Sequence, residues 1–303
     1  MKDGIILIDK PAGISSASVV YRIKKRFSFA KVGHAGTLDP FATGLMVITV
    51  GKATRLSRFF LDADKRYTGR LVLGTLTDTL DPEGEVLKTE TPEVMADLAS
   101  TLALPEIHKV FHAFTGDFMQ VPPVYSALKH KGVPLYKLAR KGQPVEKPPR
   151  PVTLYKNTLT SYAFPHLDFE VSCSKGTYIR SLARDMAEAL GTVGHLISLR
   201  RIESLGFHVD EALTLAEVEA ESMDFEHLPL IPMSDAVSHL PAFVVDEVAR
   251  AAVMNGNQLP WRPCGEDSGA DFCRVLDGEG HLIAVVESAK CGAHHKYCCV
   301  FNA

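Results

Sequence analysis

The chain has 303 residues, of which 46% are hydrophobic and 23% charged, a composition typical of a soluble globular protein with one large domain and a small one. No apolar run reaches membrane-spanning length, and residues 1–3 lead directly into an apolar segment. We therefore expect no membrane span, no signal peptide and a cytoplasmic protein.

The net charge of −3 conceals two basic segments. Residues 1–70 contain 13 Lys and Arg against 5 Asp and Glu, and residues 126–156 contain 8 against 1. Clustered Lys and Arg gain affinity for phosphates by releasing counterions, so this distribution favours a nucleic-acid partner. Either segment alone also fits an ordinary solvated face.

The elements that the sequence predicts begin with a strand and a helix. Ile5–Ile8 is an apolar strand, and Ser15 or Ser16 is a good N-cap for a helix that runs to about Phe27. The other predicted elements are a buried strand at Gly44–Gly51, a helix in 52–60, a strand at Tyr67–Gly74, a polar turn at 77–86, a helix at Pro92–Leu102, strands at Val152–Tyr162 and Asp168–Cys173, a helix ending at Gly191, a strand in 196–207 and a helix in 215–222.

The sequence GHAGTLDP, Gly33 to Pro40, concentrates the residues that can carry chemistry. Gly33 and Gly36 allow positive φ, and Pro40 fixes its own φ and biases Asp39 away from helix. We expect a tight, exposed loop that presents His34 and Asp39 toward a cleft. The alternative is an ordinary Asp-Pro turn before a strand.

Residues 120–152 differ in composition from the rest of the chain. They are rich in Pro, Gly, Lys and Arg, with Tyr125 and Tyr136 interleaved. Such a segment buries little by itself, so we expect it to fold down on something anionic. A long solvated linker is the alternative.

A change of pattern near residues 229–232 predicts a domain boundary. The segment 230–303 has short strands, turn-rich spacing and a short helix around Asp246–Met254, which is typical of a small β-rich domain. Its Cys291, His294, His295 and Cys298 have a spacing that zinc accepts but that matches no familiar zinc motif. An ordinary strand edge is favoured, so we predict no metal site.

Six ordered blocks in roughly the first 210 residues carry a resemblance to a known family. They are DKPAGISS, GHAGTLDPFATGLMVITVGKATRL, DKRY, QVPPVYSALKHKG with YKLARKG, CSKGTYIRSLARD and LRR. In this order they resemble the TruB family of bacterial tRNA pseudouridine synthases. The last part of the chain is similar, more loosely, to a PUA domain, an RNA-binding β-barrel, although it is acidic.

The resemblance implies an α+β fold of the pseudouridine synthase type, with a mixed, mainly antiparallel sheet flanked by helices in residues 1–229. An RNA-binding insertion at about 120–152 and a PUA-like barrel at 230–303 complete it. The implied function is isomerisation of uridine 55 in the T loop of tRNA, by a monomer that needs no guide RNA. Breaking the N1–C1′ bond and rejoining the base through C5 involves no redox change or energy input, so no cofactor is expected.

The resemblance also assigns roles to three side chains. Asp39 is the catalytic carboxylate, acting as a nucleophile at C1′ or C6 or as a base at the C2′ hydrogen. Arg180 keeps Asp39 ionised, because an opposite charge lowers the pKa of a carboxyl. Tyr67 stacks on the flipped base, and its hydroxyl is a candidate acceptor for the C5 proton.

Six further residues are expected to contact the substrate. By the resemblance, His34 enters the RNA stack where the base leaves, Tyr178 and Leu199 are pocket walls, and Arg55 supports the site or contacts phosphate. Lys129 and Lys131 are the insertion lysines expected to bind the RNA. A solvated loop His, core positions and a solvated helix face are the respective alternatives.

Two other functions stay open on the sequence. One is a guide-RNA-dependent synthase of rRNA, which shares the central motif, although the long basic insertion argues against it. The other is an RNA chaperone that refolds tRNA without essential catalysis.

Overall fold

The computed structural model describes residues 3–61, 63–258, 271–287 and 295–302. No helix in these ranges is long and apolar enough to cross a membrane. The strands are β1 Gly4–Lys10, β2 Val32–His34, β3 Thr43–Val50, β4 Lys65–Leu73, β5 Thr75–Thr77, β6 Val86–Thr89, β7 Gly116–Gln120, β8 Lys129–His130, β9 Val133–Pro134, β10 Arg150–Ala163, β11 His166–Cys173, β12 Gly194–Ser204, β13 Phe207–His208, β14 Leu213–Thr214, β15 Ala242–Val244, β16 Phe272–Leu276, β17 Leu282–Glu287 and β18 Lys296–Val300.

The helices are α1 Ser16–Arg26, α2 Ser57–Leu61, α3 Pro92–Thr101, α4 Leu104–Ala113, α5 Leu135–Ala139, α6 Ile179–Ala189, α7 Leu215–Glu219, α8 Met233–Ala236 and α9 Glu247–Met254. Short 3-10 turns lie at Gly51–Leu56 and Val209–Glu211. The predicted start of α1 is confirmed, since the side chain of Ser15 accepts a hydrogen bond from the backbone of Ser18.

One ten-stranded sheet organises the chain up to β14. Its strand order is β14-β1-β3-β12-β4-β11-β10-β7, with β2 on β3 and β13 on β12. Only the β1–β14 and β3–β12 pairs in this sheet are parallel. The predicted mixed, mainly antiparallel sheet is therefore confirmed.

Strands β1 and β3 are buried on both faces, which explains their continuous apolar sequences. Alternate residues enter the core that helices α1, α4 and α6 cover, namely Ile6, Ile8, Met46 and Ile48. The residues between them face the C-terminal strands, namely Ile5, Leu7, Leu45 and Val47. The loop between β2 and β3 is thus adjacent to strands that are packed on both faces.

Residues 103–119, for which no element was predicted, form α4 and β7. Helix α4 carries Pro105 in its first turn, and its buried residues are Ile107 and Phe111. Two apolar positions four residues apart are too short a periodic pattern to identify a helix from sequence alone.

The predicted C-terminal barrel is not found in the described residues. Strands β15 to β18 form an open four-stranded sheet, with α9 packed on it. Of the residues considered for zinc, Cys291 and His294 lie outside the described residues. Cys298 accepts a hydrogen bond from Arg58 at 2.9 Å.

Candidate active site

The loop that joins β2 to β3, residues 35–42 and here called the Asp39 loop, is anchored rather than freely exposed. Ser16 bonds both backbone groups of Leu38, at 2.8 and 2.9 Å. Gly36 has a φ of +104°, as the glycine prediction requires, whereas Gly33 lies in strand β2 opposite Thr49. Side-chain and strand contacts thus fix the loop, which the sequence predicted to be exposed.

Lys10 holds the far end of the Asp39 loop. Its fully buried ammonium donates to the carbonyls of Pro11, Ile14 and Pro40, at 2.8 to 3.0 Å. Burial lowers the pKa of Lys10 to about 8. The predicted strand Ile5–Ile8 stopped short of Lys10, and nothing in the sequence indicates that this lysine turns inward to bond the Asp39 loop.

Arg180, in the first turn of α6, meets Asp39 across 141 positions of sequence. Its Nε lies 2.8 Å from Oδ2 of Asp39, and its Nη2 donates to Oδ1 at 3.1 Å. The guanidinium is only 4% exposed, whereas the Asp39 side chain keeps 32% of its surface accessible. The predicted Asp39–Arg180 pair therefore forms, with the carboxylate as its accessible member.

A second carboxylate completes what we call the Arg180 cluster, namely Arg180, Asp39 and Asp81. Oδ2 of Asp81 lies 3.2 Å from Nη1 of Arg180, and the Asp81 side chain is 5% exposed. Burial raises the pKa of Asp39, Arg180 lowers it and Asp81 raises it, with the balance above the ordinary value. The predicted lowering of this pKa by Arg180 is present, but burial and Asp81 together outweigh it.

Two backbone carbonyls hold the other edges of the guanidinium. Nη1 of Arg180 donates to Thr79 at 2.6 Å, and Nη2 donates to Tyr125 at 2.8 Å. Thr79 follows β5 and Tyr125 belongs to the insertion, so Arg180 joins α6 to three distant segments. Such multiple anchoring preorganises the charge beside Asp39.

Tyr67 and Leu199 lie in the apolar core that adjoins the Asp39 loop. Both are buried in one cluster with Leu38, from the loop, and Ile179, which precedes Arg180. Tyr67 is on β4 and Leu199 on the neighbouring β12. Burial is the largest influence on the pKa of Tyr67 and raises it. An open hollow of about 630 Å³ touches Leu199, but neither Asp39, Tyr67 nor Arg180 lines it.

Tyr178 is positioned through its backbone by the start of the insertion. The fully buried Gln120 donates to the Tyr178 carbonyl at 3.1 Å and accepts from its N–H at 2.8 Å. The guanidinium of Arg150 lies 4.8 Å from the centroid of the Tyr178 ring. Tyr178 therefore sits where both ends of the insertion meet α6.

The other predicted substrate residues lie outside the Arg180 cluster. His34 ends β2, half-buried, with no hydrogen-bond partner for Nδ1, and burial lowers its pKa. Lys129 and Lys131 are exposed on the β8–β9 hairpin of the insertion. Arg55 is not brought to the Arg180 cluster: its Nη1 donates to the carbonyl of Val300, in the C-terminal sheet.

Sequence reasoning missed Asp81, which it included in a polar turn. A usable signal was present, because Asp81 is followed by Pro82 just as Asp39 is followed by Pro40. Gln120 was also missed as a contact, since nothing in the local sequence indicates that its amide bonds a backbone 58 positions away.

Two family models match the chain. The model of the N-terminal domain of TruB family pseudouridylate synthases matches residues 24–179, and the model of the C-terminal domain of tRNA pseudouridylate synthase B matches residues 180–235. The tRNA pseudouridine synthase B of Thiobacillus denitrificans is 42% identical over 286 residues, covering 94% of this chain and 92% of that protein. The protein of the same name from Haemophilus influenzae is 43% identical, with 93% and 90% covered.

The fold is also similar to chains in two solved complexes. A Cbf5–Nop10–Gar1 complex contains a chain with a TM-score of 0.72 and 26% identity, covering 98% of this chain and 85% of that one. A chain in an H/ACA ribonucleoprotein bound to a substrate RNA containing 2′-deoxyuridine has a TM-score of 0.68 and 26% identity, covering 94% of this chain and 77% of that one. Because one family model spans more than half of the chain and relatives above 40% identity span nearly all of it, the chain belongs to the TruB family of pseudouridylate synthases.

Proposed function

We propose that this protein isomerises uridine 55 in the T loop of tRNA to pseudouridine, alone and without guide RNA. The observation that carries the proposal is the Arg180 cluster, in which a buried guanidinium grips Asp39 and leaves its carboxylate accessible. Family membership supplies the reaction class, and the names of the relatives supply tRNA as the substrate.

The reaction needs one ionised carboxylate beside an everted uridine. Asp39 adds to C1′ or C6, or removes the C2′ hydrogen, and the N1–C1′ bond breaks. The freed base rotates and rejoins through C5, which then loses its proton. Arg180 keeps Asp39 in place and favours its ionised form, which low-polarity surroundings disfavour.

The apolar residues around the Asp39 loop are suited to receive a flipped base. Tyr67 offers an aromatic face and Leu199 an aliphatic wall in the same cluster. In this proposal Tyr178, at the start of α6, contacts the everted base, and His34 fills the gap that the base leaves. Lys129 and Lys131 bind the RNA backbone, and Arg55 acts through the C-terminal segment it contacts.

The proposed organisation follows the sequence prediction, with catalysis in residues 1–229 and an accessory RNA-binding unit in 230–303. Because the described C-terminal sheet is open, the PUA-like character of that unit is part of the proposal. Its described strands contact residues 1–229 through Phe272, which packs edge-on against Phe59 with 5.2 Å between the ring centroids.

The test is to incubate the purified chain with unmodified tRNA, and with a T-arm minihelix, and to map pseudouridine. We expect modification at position 55 only. Asp39→Asn should abolish this modification while the Kd for tRNA changes by less than about threefold, because the substitution removes the negative charge and keeps the side-chain volume. Product formation by Asp39→Asn contradicts the assignment of Asp39.

The same experiment separates the two alternatives. The resemblance to the Cbf5 chain keeps a guide-RNA-dependent enzyme in consideration. Modification of tRNA by the purified chain alone excludes that dependence. An inactive Asp39→Asn variant that still accelerates tRNA folding indicates a chaperone activity alongside catalysis, and a wild type that only folds tRNA refutes the proposed function.

A further inference from the structure

Arg201 is the largest fully buried side chain among the described residues, and no role has been assigned to it above. It lies on β12, two residues after Leu199. Its Nε donates to the carbonyl of Leu45 at 2.6 Å, and its Nη2 donates to the carbonyl of Gly36 at 3.3 Å. The guanidinium therefore ties the Asp39 loop to β3, beneath the proposed site.

Arg201 differs from Arg180 in having no carboxylate within ion-pair distance among the described residues. Its Nη1 is also buried without a hydrogen-bond partner. An unsatisfied buried donor destabilises the folded state, and a buried charge without a counterion destabilises it further. A methionine of similar volume avoids both costs, so stability alone does not account for an arginine here.

The group that Arg201 faces is Tyr67. The two residues are directly opposite each other on the antiparallel strands β12 and β4, so their side chains leave the sheet on the same face. The positive charge of Arg201 lowers the pKa of Tyr67, against the larger effect of burial. Cys173 on β11 and Asp39 in its loop also face Tyr67, and both raise this pKa.

We propose that Arg201 is a positioning residue for the isomerisation, a role that rests on the function proposed above. It holds the Tyr67 hydroxyl and the Gly36 carbonyl in the arrangement that an everted uracil meets, and its free Nη1–H stabilises negative charge on the Tyr67 oxygen. No bond forms or breaks at Arg201. The unpaired donor is explained as a group that is satisfied when charge develops beside it.

The kinetic test compares Arg201→Met and Arg201→Lys with a control on the neighbouring residue, Arg200→Met. Arg200 is half-buried and ion-paired with Asp9 at 2.7 Å, away from Tyr67. We expect Arg201→Met to lower the single-turnover rate about 10- to 100-fold with an unchanged Kd for tRNA, since misplacement of a reacting group costs rate rather than affinity. Arg201→Lys, which retains the charge, should recover part of the loss, and Arg200→Met should change the rate by less than about threefold.

A spectroscopic test examines Tyr67 directly, without RNA. Protein labelled with 3-fluorotyrosine gives a fluorine NMR resonance for Tyr67, which the Tyr67→Phe variant identifies by its loss. Arg201→Met should shift this resonance and move its titration to higher pH, because a positive charge has been removed. Arg200→Met should leave it in place.

An unchanged Tyr67 resonance, or equal rates for Arg201→Met and Arg200→Met, overturns the proposal. If Arg201→Met does not fold, Arg201→Lys serves in both measurements, with a smaller expected shift. A wild type that does not modify tRNA refutes the proposed function, whereas the fluorine titration still tests the contact between Arg201 and Tyr67.

Discussion

The Arg180 cluster and the insertion (residues 120–152) touch each other but are built in opposite ways. Arg180 is 4% exposed and bonded to four partners from three distant segments. In the insertion, Lys129, Lys131 and Gly132 are exposed, and Leu135 and Ala139 are the buried residues of its helix α5. One region is fixed by the folded protein, and the other presents its charges to solvent.

This difference predicts how the two regions divide the work. A buried, preorganised cluster acts on the transition state, because its geometry does not need to be reassembled when the substrate arrives. Exposed lysines act on affinity through phosphate contacts that depend on salt. The hydrogen bond from Arg180 to the Tyr125 carbonyl connects the cluster expected to set the rate with the insertion expected to set the affinity.

Arg180→Lys should have the largest effect among the variants that test this division. Lysine keeps the positive charge but cannot reach Asp39, Asp81 and two carbonyls at once. We expect the single-turnover rate to fall about 10²- to 10³-fold, the usual cost of removing a preorganised donor, with the Kd for tRNA unchanged.

The matched control is Arg184→Lys, one turn further along α6. Arg184 pairs with the adjacent Asp185 at 2.6 Å and does not contact the Arg180 cluster. Its rate should stay within about threefold of wild type. A comparable loss of tRNA affinity in Arg180→Lys contradicts the proposed division between rate and affinity.

Asp81→Asn should have the next largest effect. The substitution keeps the shape but removes the charge that lies 3.2 Å from Arg180. We expect the rate to fall about 10-fold, equivalent to about 1.4 kcal/mol, because Arg180 loses one of two carboxylates that orient it. Combining Asp81→Asn with Arg180→Lys should cost less than the product of the single losses, since both variants disturb the same contacts. Fully multiplicative losses would mean that Asp81 acts by another route.

The double variant Lys129→Gln and Lys131→Gln tests the contribution of the exposed insertion to tRNA affinity. We expect the Kd for tRNA to rise about 10-fold at moderate salt, and the slope of log K against log salt to become shallower by about 2, with the single-turnover rate at saturating tRNA unchanged. Lys109→Gln, an exposed lysine on α4, controls for the loss of charge alone. A changed rate at saturation indicates that the insertion also positions Arg180 through Tyr125.

The sequence predicted the Asp39–Arg180 pair better than it predicted the residues that contact this pair and its loop. The Asp39–Arg180 pair was expected because the motifs that carry both residues resemble one family. Asp81 was missed because its contact with Arg180 joins residues 99 positions apart, and local patterns report only on local structure. The same limit hid the contacts of Lys10, which lies just beyond the predicted strand Ile5–Ile8, where the sequence does not indicate that its ammonium bonds three carbonyls.

In the C-terminal region the local elements were predictable from the sequence, but their arrangement was not. Short strands and turn-rich spacing correctly predicted a sheet of short strands, and Asp246 correctly marked the start of helix α9. Whether four short strands close into a barrel depends on strand tilt and register, which alternation of residues does not encode. The open sheet of β15 to β18 was therefore not accessible from the sequence.

The smallest predicted effect is a shift in the pH dependence of the single-turnover rate. Burial and Asp81 raise the pKa of Asp39, so the rate should fall on the acid side as Asp39 takes up a proton at a pH above its ordinary range. Asp81→Asn removes a negative charge near Asp39, which lowers that pKa and should move the acid limb to lower pH. Lys129→Gln with Lys131→Gln should leave the limb in place, because those side chains lie on an exposed hairpin. An acid limb that is identical in wild type and Asp81→Asn would show that the titrating group is not Asp39.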